Sequence, residues 1–262
     1  MTRVFRHSGA SNAALAQNAA HNGAASYALS IYSSEAVYSF IPKNACSTLR
    51  YSLALANGAI DDESQFNWIH HNNPTFRASL RELARAKYTF VVMRDPFLRL
   101  ASCFFDKIVD QTPVAATLHR LMNYTSRPHE VTFRAFVDAL KTHLRGDEHW
   151  RPQVDFLVYK SYDDVFRLEN FPAAIHALKQ KIGLEVRDAR ALTRHGTDQF
   201  SEIEDDECVA DLKAFDLLAT KRKGRVPRLR NFYDSALVAK VEALFASDLE
   251  FYRHEARGTS VF

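Results

Sequence analysis

At 262 residues, with 47% hydrophobic and 12% aromatic side chains, the chain carries enough apolar material for one large domain with a substantial core. Its 34 basic against 31 acidic residues leave a net charge of only +3, which excludes a general nucleic-acid binder. Nothing reaches the roughly 20 consecutive apolar residues of a membrane-spanning helix. Cys46, Cys103 and Cys208 are isolated and odd in number, so neither a zinc site nor a disulfide framework is expected, and a reduced, cytoplasmic setting is the simplest reading.

Residues 1–30 are rich in Ala, Asn and Ser and include Arg3, Arg6 and His7 without a compact apolar core. They read as a flexible arm or loosely docked helix ahead of a single domain over residues 31–262. Residues 36–41 read as a short buried strand, and 43–57 as a helix closed by Gly58. The polar stretch 61–75, with Trp68, His70 and His71, is a loop, and 78–87 a helix. Residues 88–93, Tyr-Thr-Phe-Val-Val-Met, form the clearest buried parallel-type strand. Phe97, Leu100, Phe104 and Ile108 follow at helical spacing, and a further helix is expected at 133–143.

Residues 154–160 and 164–168 look like two more strands, and 172–182 like a helix ending at Gly183. Amphipathic helices at 202–220 and 234–252 flank a basic cluster of Lys221, Arg222, Lys223, Arg225, Arg228 and Arg230. Strands alternating with helices predict an α/β fold with a mainly parallel sheet.

Chemistry concentrates in two segments. In the first, the strand ends at Pro42, and Lys43, Asn44, Ala45, Cys46, Ser47 and Thr48 lead into a helix. A tight turn followed by a helix N-terminus aims free N–H groups at an anion, and a lysine with two hydroxyls adds charge and donors. The loop lacks the glycines of GxxxxGK[ST], and Lys43 stands at its start, away from Ser47, so the pattern is not that of a kinase or ATPase. In the second, a buried strand ends on Arg94, and Ser102 lies about two turns into the next helix. An arginine fork and a hydroxyl suit a second phosphate.

Together the segments resemble the two donor-binding motifs of sulfotransferases that use 3′-phosphoadenosine 5′-phosphosulfate (PAPS), and more narrowly those of the carbohydrate sulfotransferase branch. Pro42-Lys43 with Cys46-Ser47-Thr48 is similar to the branch's 5′-phosphosulfate loop. Arg94-Asp95-Pro96-Phe97, Arg99-Leu100, Ser102 and Asp106-Lys107 are similar to its 3′-phosphate motif, and His149-Trp150-Arg151-Pro152-Gln153 resembles a further recurring segment. Leu98 departs from the pattern, standing where the branch usually has an acidic residue. The membrane anchor and disulfide cysteines of the luminal members are missing, which implies a bacterial-type, cytoplasmic member.

The resemblance, over roughly residues 36–255, implies a P-loop-NTPase-like central parallel sheet flanked by helices, with a helical C-terminal part. It implies sulfuryl transfer from PAPS, without a metal, to a hydroxyl of a carbohydrate or small hydroxylated acceptor. Residues 43–48 would hold the 5′-phosphosulfate and Lys43 would take part in catalysis. Arg94 and Ser102 would hold the 3′-phosphate, and Arg222-Lys223-Gly224 resembles a loop that folds over it. A histidine is the natural acceptor base near neutral pH, and the candidates are His70, His71 and His149, the first fitting the branch's His-x-Asn pattern best. Residues 61–75 and 110–132 are the expected acceptor loops; a glycolipid acceptor would bring peripheral membrane association. The rival readings are a kinase-like phosphotransferase and a PAPS-binding module without turnover. The sequence leaves the acceptor and the oligomeric state open.

Overall fold

The computed structural model describes residues 2–72, 74–123, 127–193 and 200–262. In chain order, α1 (Ala19–Ala25) leads into β1 (Ala28–Ile31) and β2 (Ala36–Ser39), then α2 (Cys46–Ala56), α3 (Trp68–His71) and α4 (Leu80–Arg85). Next come β3 (Tyr88–Met93), α5 (Pro96–Cys103), α6 (Pro113–Leu121) and α7 (Phe133–His143). The chain continues through β4 (Asp164–Arg167), α8 (Phe171–Ile182), β5 (Ser201–Ile203), α9 (Ala214–Arg222), β6 (Arg225–Pro227), α10 (Ser235–Leu244) and α11 (Ala246–His254). Among the described residues, no helix is long and apolar enough to cross a membrane.

The chain divides into two compact units, Met1–Arg94 with Gln153–Arg194, and Asp95–Pro152 with His195–Phe262. The first holds a four-stranded sheet in the order β1-β2-β3-β4. β2, β3 and β4 run parallel, in the register Tyr38↔Phe90 and Phe90↔Asp164, whereas β1 joins the edge antiparallel, Leu29 opposite Tyr38. β2 is buried throughout and β3 from its second residue on, the signature of strands covered on both faces. Local signals end the helices where chemistry requires: a reciprocal Ser79–Glu82 capping box opens α4, and Gly183, at φ 68°, closes α8.

β1 was not expected, because four residues at the end of an Ala/Asn/Ser-rich stretch show too little periodicity. Residues 154–160 are a correction: they start as a 3-10 turn, Gln153–Phe156, and add no strand to the sheet. Phe156, Leu157, Val158 and Tyr159 are fully buried, and a short buried apolar run reads alike in either state. Their backbone pairs instead with the N-terminal segment, Arg6 N–H to the Val158 carbonyl and Lys160 N–H to the Val4 carbonyl, both 2.9 Å. Where the sequence suggested an arm, the Arg3 guanidinium donates to the Ala86 carbonyl at 2.9 Å and pairs with Asp163 at 2.7 Å.

The second unit is mostly helical. Asp95 caps α5 through Phe97 N–H and Leu98 N–H, with Pro96 in the first turn, and a π-helical turn, Phe104–Val109, continues it. Phe104, Phe133, Phe136, Trp150 and Phe232 are fully buried in one aromatic core. β5 and β6 form a separate parallel pair. The helix expected at 202–220 is confined to α9, since the acidic run 204–207 repels itself and its chain turns toward Arg228 and Arg230, which pair with Glu202 and Asp206. The helix expected at 234–252 breaks at Phe245, whose φ −114°, ψ 26° is not helical.

Candidate active site

Between β2 and α2 the chain makes its turn without glycine. Lys43 (φ 75°) and Ala45 (φ 54°) both take the left-handed conformation, which costs a side-chain-bearing residue about 1–2 kcal/mol. Two such residues around Asn44 mark a loop held in shape by its surroundings. Ala45 is the N-cap of α2 and its methyl offers no cap, so the first-turn amides of Cys46, Ser47 and Thr48 lack both a helical acceptor and an oxygen from the N-cap side chain. The helix thus starts at Cys46 and not at Lys43 as expected, and the three residues before it form the concave turn. Thr48 Oγ1 accepts from Ala189 N–H at 3.4 Å, which leaves its hydroxyl proton to donate elsewhere.

The second motif meets this loop inside the same unit. Arg94 follows the last residue of β3, and its Nη1 donates to the Lys43 carbonyl at 3.2 Å. Asn44, fully buried, donates its amide to the Val92 carbonyl at 2.9 Å and to Gln153 Oε1 at 2.6 Å. Parallel strands β2 and β3 bring the two loops side by side because each ends at the same edge of the sheet. Ser102 is half-buried on α5, in the second unit.

The sequence model of the Sulfotransferase family matches residues 33–255. The chain belongs to the sulfotransferase family. No curated protein and no solved structure gives a significant match. The family is one of transferases that move a sulfuryl group, and the α/β sheet with its strand–turn–helix loop is the framework that the motifs implied.

Of this sulfotransferase's three candidate bases, His70 and His71 stand exposed on α3 in the first unit, within the expected loop. Four residues cannot sustain a helix alone. α3 is tied to the start of the sulfotransferase's own loop helix: the buried Arg50 of α2 donates Nη2 to the Ile69 carbonyl, and its guanidinium lies 5.2 Å from the Phe40 ring centroid. His70 packs edge-on against Phe66 at 5.5 Å. His149 lies in the second unit, its Nδ1 2.6 Å from Asp147 Oδ1. Burial alone would raise the Asp147 carboxyl, but the bonds from the His149 side chain and backbone outweigh it and hold Asp147 below its ordinary range. A carboxylate of that kind fixes the tautomer and orientation of an imidazole.

Arg222, Lys223 and Gly224 form the exposed C-terminal turn of α9, with Gly224 at φ 79° leading into β6. Neighbouring Lys221 is otherwise engaged, 2.6 Å from Asp110 and 5.0 Å from the Phe105 ring centroid. Arg228 and Arg230 are likewise in ion pairs. Within the basic cluster, Lys221, Arg228 and Arg230 are thus engaged with carboxylates, whereas Arg222, Lys223 and Arg225 stand exposed. Asn73 and residues 124–126 of the two expected acceptor loops, like Met1 of the arm, lie outside the described residues.

Arg50 and Gln153 were not singled out from sequence. Gln153 closes the His149-Trp150-Arg151-Pro152-Gln153 segment already noted, whereas Arg50 gave no signal beyond a cation in an otherwise apolar helix stretch.

Proposed function

We propose that this sulfotransferase takes its sulfuryl group from PAPS and passes it, by in-line displacement, to a hydroxyl of a carbohydrate or other small hydroxylated acceptor. The observation that carries the reading is the uncapped start of α2 behind two left-handed residues, with the Arg94 fork against the Lys43 carbonyl. A dianionic group fits there: first-turn amides need acceptors, and a lysine ahead of a helix N-terminus is electrostatically unfavourable unless an anion lies between them. PAPS supplies the sulfuryl group already activated on a phosphate leaving group.

In this reading the first-turn amides of Cys46, Ser47 and Thr48 with the Ser47 and Thr48 hydroxyls hold the 5′-phosphosulfate. Asn44, expected among the ligands, instead gives its N–H to the Ile41 carbonyl at 3.2 Å and shapes the loop from within. Lys43 Nζ neutralises charge building on the bridging oxygen as the S–O bond breaks. Arg94 and Ser102 grip the 3′-phosphate, and Arg222-Lys223-Gly224 closes over it. A histidine takes the acceptor's hydroxyl proton. His70 or His71 is preferred because α3 is braced by the loop helix through Arg50; His149 is the competitor because Asp147 orients it. The protein acts in the cytoplasm, and a glycolipid acceptor would draw it to a membrane surface without insertion.

The decisive measurement is calorimetry with adenosine 3′,5′-bisphosphate, the product of the donor, alongside magnesium-ATP. Binding of the bisphosphate, lost in Arg94→Ala, with PAPS-dependent transfer collapsing in Lys43→Ala, supports the reading. Failure to bind the bisphosphate sinks it, and magnesium-dependent ATP binding in its place would identify a kinase-like phosphotransferase.

A further inference from the structure

We propose that Gln153 is a positioning residue that locks the sulfate-side loop to the phosphate-side arginine, setting the spacing between the two anion grips. The inference rests on the PAPS reading above.

The hydrogen-bond pattern determines the orientation of both amides without ambiguity. The Val92 carbonyl can only accept, so the nitrogen of the Asn44 amide must face it, at 2.9 Å. That same nitrogen lies 2.6 Å from the Gln153 side chain, which must therefore present its oxygen. Arg94 N–H donates to this oxygen at 3.0 Å, and Gln153 Nε2 in turn donates to the Arg94 carbonyl at 2.9 Å. Gln153 thus bonds both backbone groups of Arg94, one residue past the end of β3, in the way a neighbouring strand would. It does so where the β3–β4 ladder has stopped, at Met93 opposite Arg167.

Its other partner, Asn44, stands between the two left-handed residues Lys43 and Ala45. Strained backbone persists only where the surroundings over-determine it. Asn44 and Gln153 are both fully buried, so their bonds are made away from competing water. One glutamine therefore holds the strained loop and the backbone of Arg94 at once, and the Arg94 side chain returns to the loop at the Lys43 carbonyl, 3.2 Å away. The ring Lys43–Asn44–Gln153–Arg94 closes on itself. Preset spacing of this kind favours a ligand with both a 5′ and a 3′ anion over one with a single anion.

The test compares the dissociation constants of adenosine 3′,5′-bisphosphate and adenosine 5′-monophosphate in the wild type, Gln153→Ala and Gln153→Glu. The glutamate is isosteric and keeps an acceptor for Asn44 and for Arg94 N–H, but sets oxygen against the Arg94 carbonyl; it serves if the alanine variant fails to fold. The preference for the bisphosphate should fall by about tenfold in a folded variant, as expected for coupled neighbours, with the KM for PAPS rising in parallel. A merely structural glutamine would weaken both nucleotides alike, and an unchanged ratio overturns the proposal. A wild type that binds no bisphosphate overturns the PAPS reading itself and this inference with it.

Discussion

Arg94 Nη1 donates to the Lys43 carbonyl oxygen at 3.2 Å. The residue expected to grip the 3′-phosphate thus touches the backbone of the residue expected to act on the sulfuryl group. The carbonyl that accepts this bond belongs to a residue in the left-handed conformation, at φ 75°. The left-handed backbone and the arginine contact belong to one local arrangement, which ties the loop after β2 to the end of β3 without glycine.

That arrangement separates charge from strain in the loop. Lys43→Ala keeps the backbone strain and removes the cation, so transfer should fall by about 10²–10³-fold while the melting temperature stays within about a degree. Ala45→Gly, at φ 54°, relieves strain and should raise stability by about 0.5 kcal/mol with activity retained. Initial rates and thermal melts check both; a destabilised Ala45→Gly protein would contradict the strained-loop account.

Arg50 should matter to turnover more than to donor binding. Its Nη2 bond to the Ile69 carbonyl braces α3, which carries His70 and His71. Arg50→Lys keeps the charge but loses the planar fork and its stacking on Phe40. The expected result is a kcat about tenfold lower, a loss of the size a single positioning contact supplies, with the KM for PAPS unchanged. His70→Ala, His71→Ala and His149→Ala, compared by pH–rate profile, identify the base: its loss removes the acidic limb and costs about 10²–10⁴-fold. An unchanged kcat in Arg50→Lys would argue against the α3 histidines.

The N-terminal segment should contribute stability that depends on pH. Burial pushes the Asp163 carboxyl up, but bonds from Arg3 and from the Thr89 amide and hydroxyl outweigh it, so its folded pKa lies below the ordinary 3.8. The sign follows: the stabilisation is complete above pH about 4 and is lost as pH falls through the depressed folded value. Arg3→Ala should cost about 2–3 kcal/mol near pH 7, since it also strips donors from the Ala86 and Lys87 carbonyls. Its stability should decline less steeply in acid than the wild type's. Chemical denaturation across pH 2.5–7 (a span chosen around that pKa) tests this, and parallel acid profiles would refute the role of Asp163.

The basic run should divide by function. Lys221 has a side chain only 11% exposed, against Asp110 and two aromatic rings, so Lys221→Met should destabilise by about 1–3 kcal/mol. Arg222→Ala with Lys223→Ala touches two exposed side chains at a helix end, and the melting temperature should hold. Affinity for adenosine 3′,5′-bisphosphate should fall by about tenfold with a weaker salt dependence. Unchanged affinity would reduce the Arg222-Lys223-Gly224 turn to a solvated helix terminus.

Much of this molecule was legible in its residues. Tyr88–Met93 could be read as a buried parallel strand because it is rich in aromatic and β-branched residues and ends in the continuous apolar run 90–93. Phe133–His143 could be read as a helix because its apolar spacing repeats every turn. The sulfotransferase family was legible for a different reason: the two motifs combine particular residue types, lysine, hydroxyls and arginine, at particular spacings, and a pattern of that kind survives in one dimension. Tertiary structure decided what depends on long-range pairing. Whether residues 154–160 joined the sheet depended on the N-terminal segment that captured their backbone. That Lys221 of the basic run pairs with Asp110, 111 residues away, could be seen only in the folded chain. Gln153 and Arg50 acquire their meaning only once the chain returns, because a side-chain amide or a guanidinium can meet many partners and sequence names none of them.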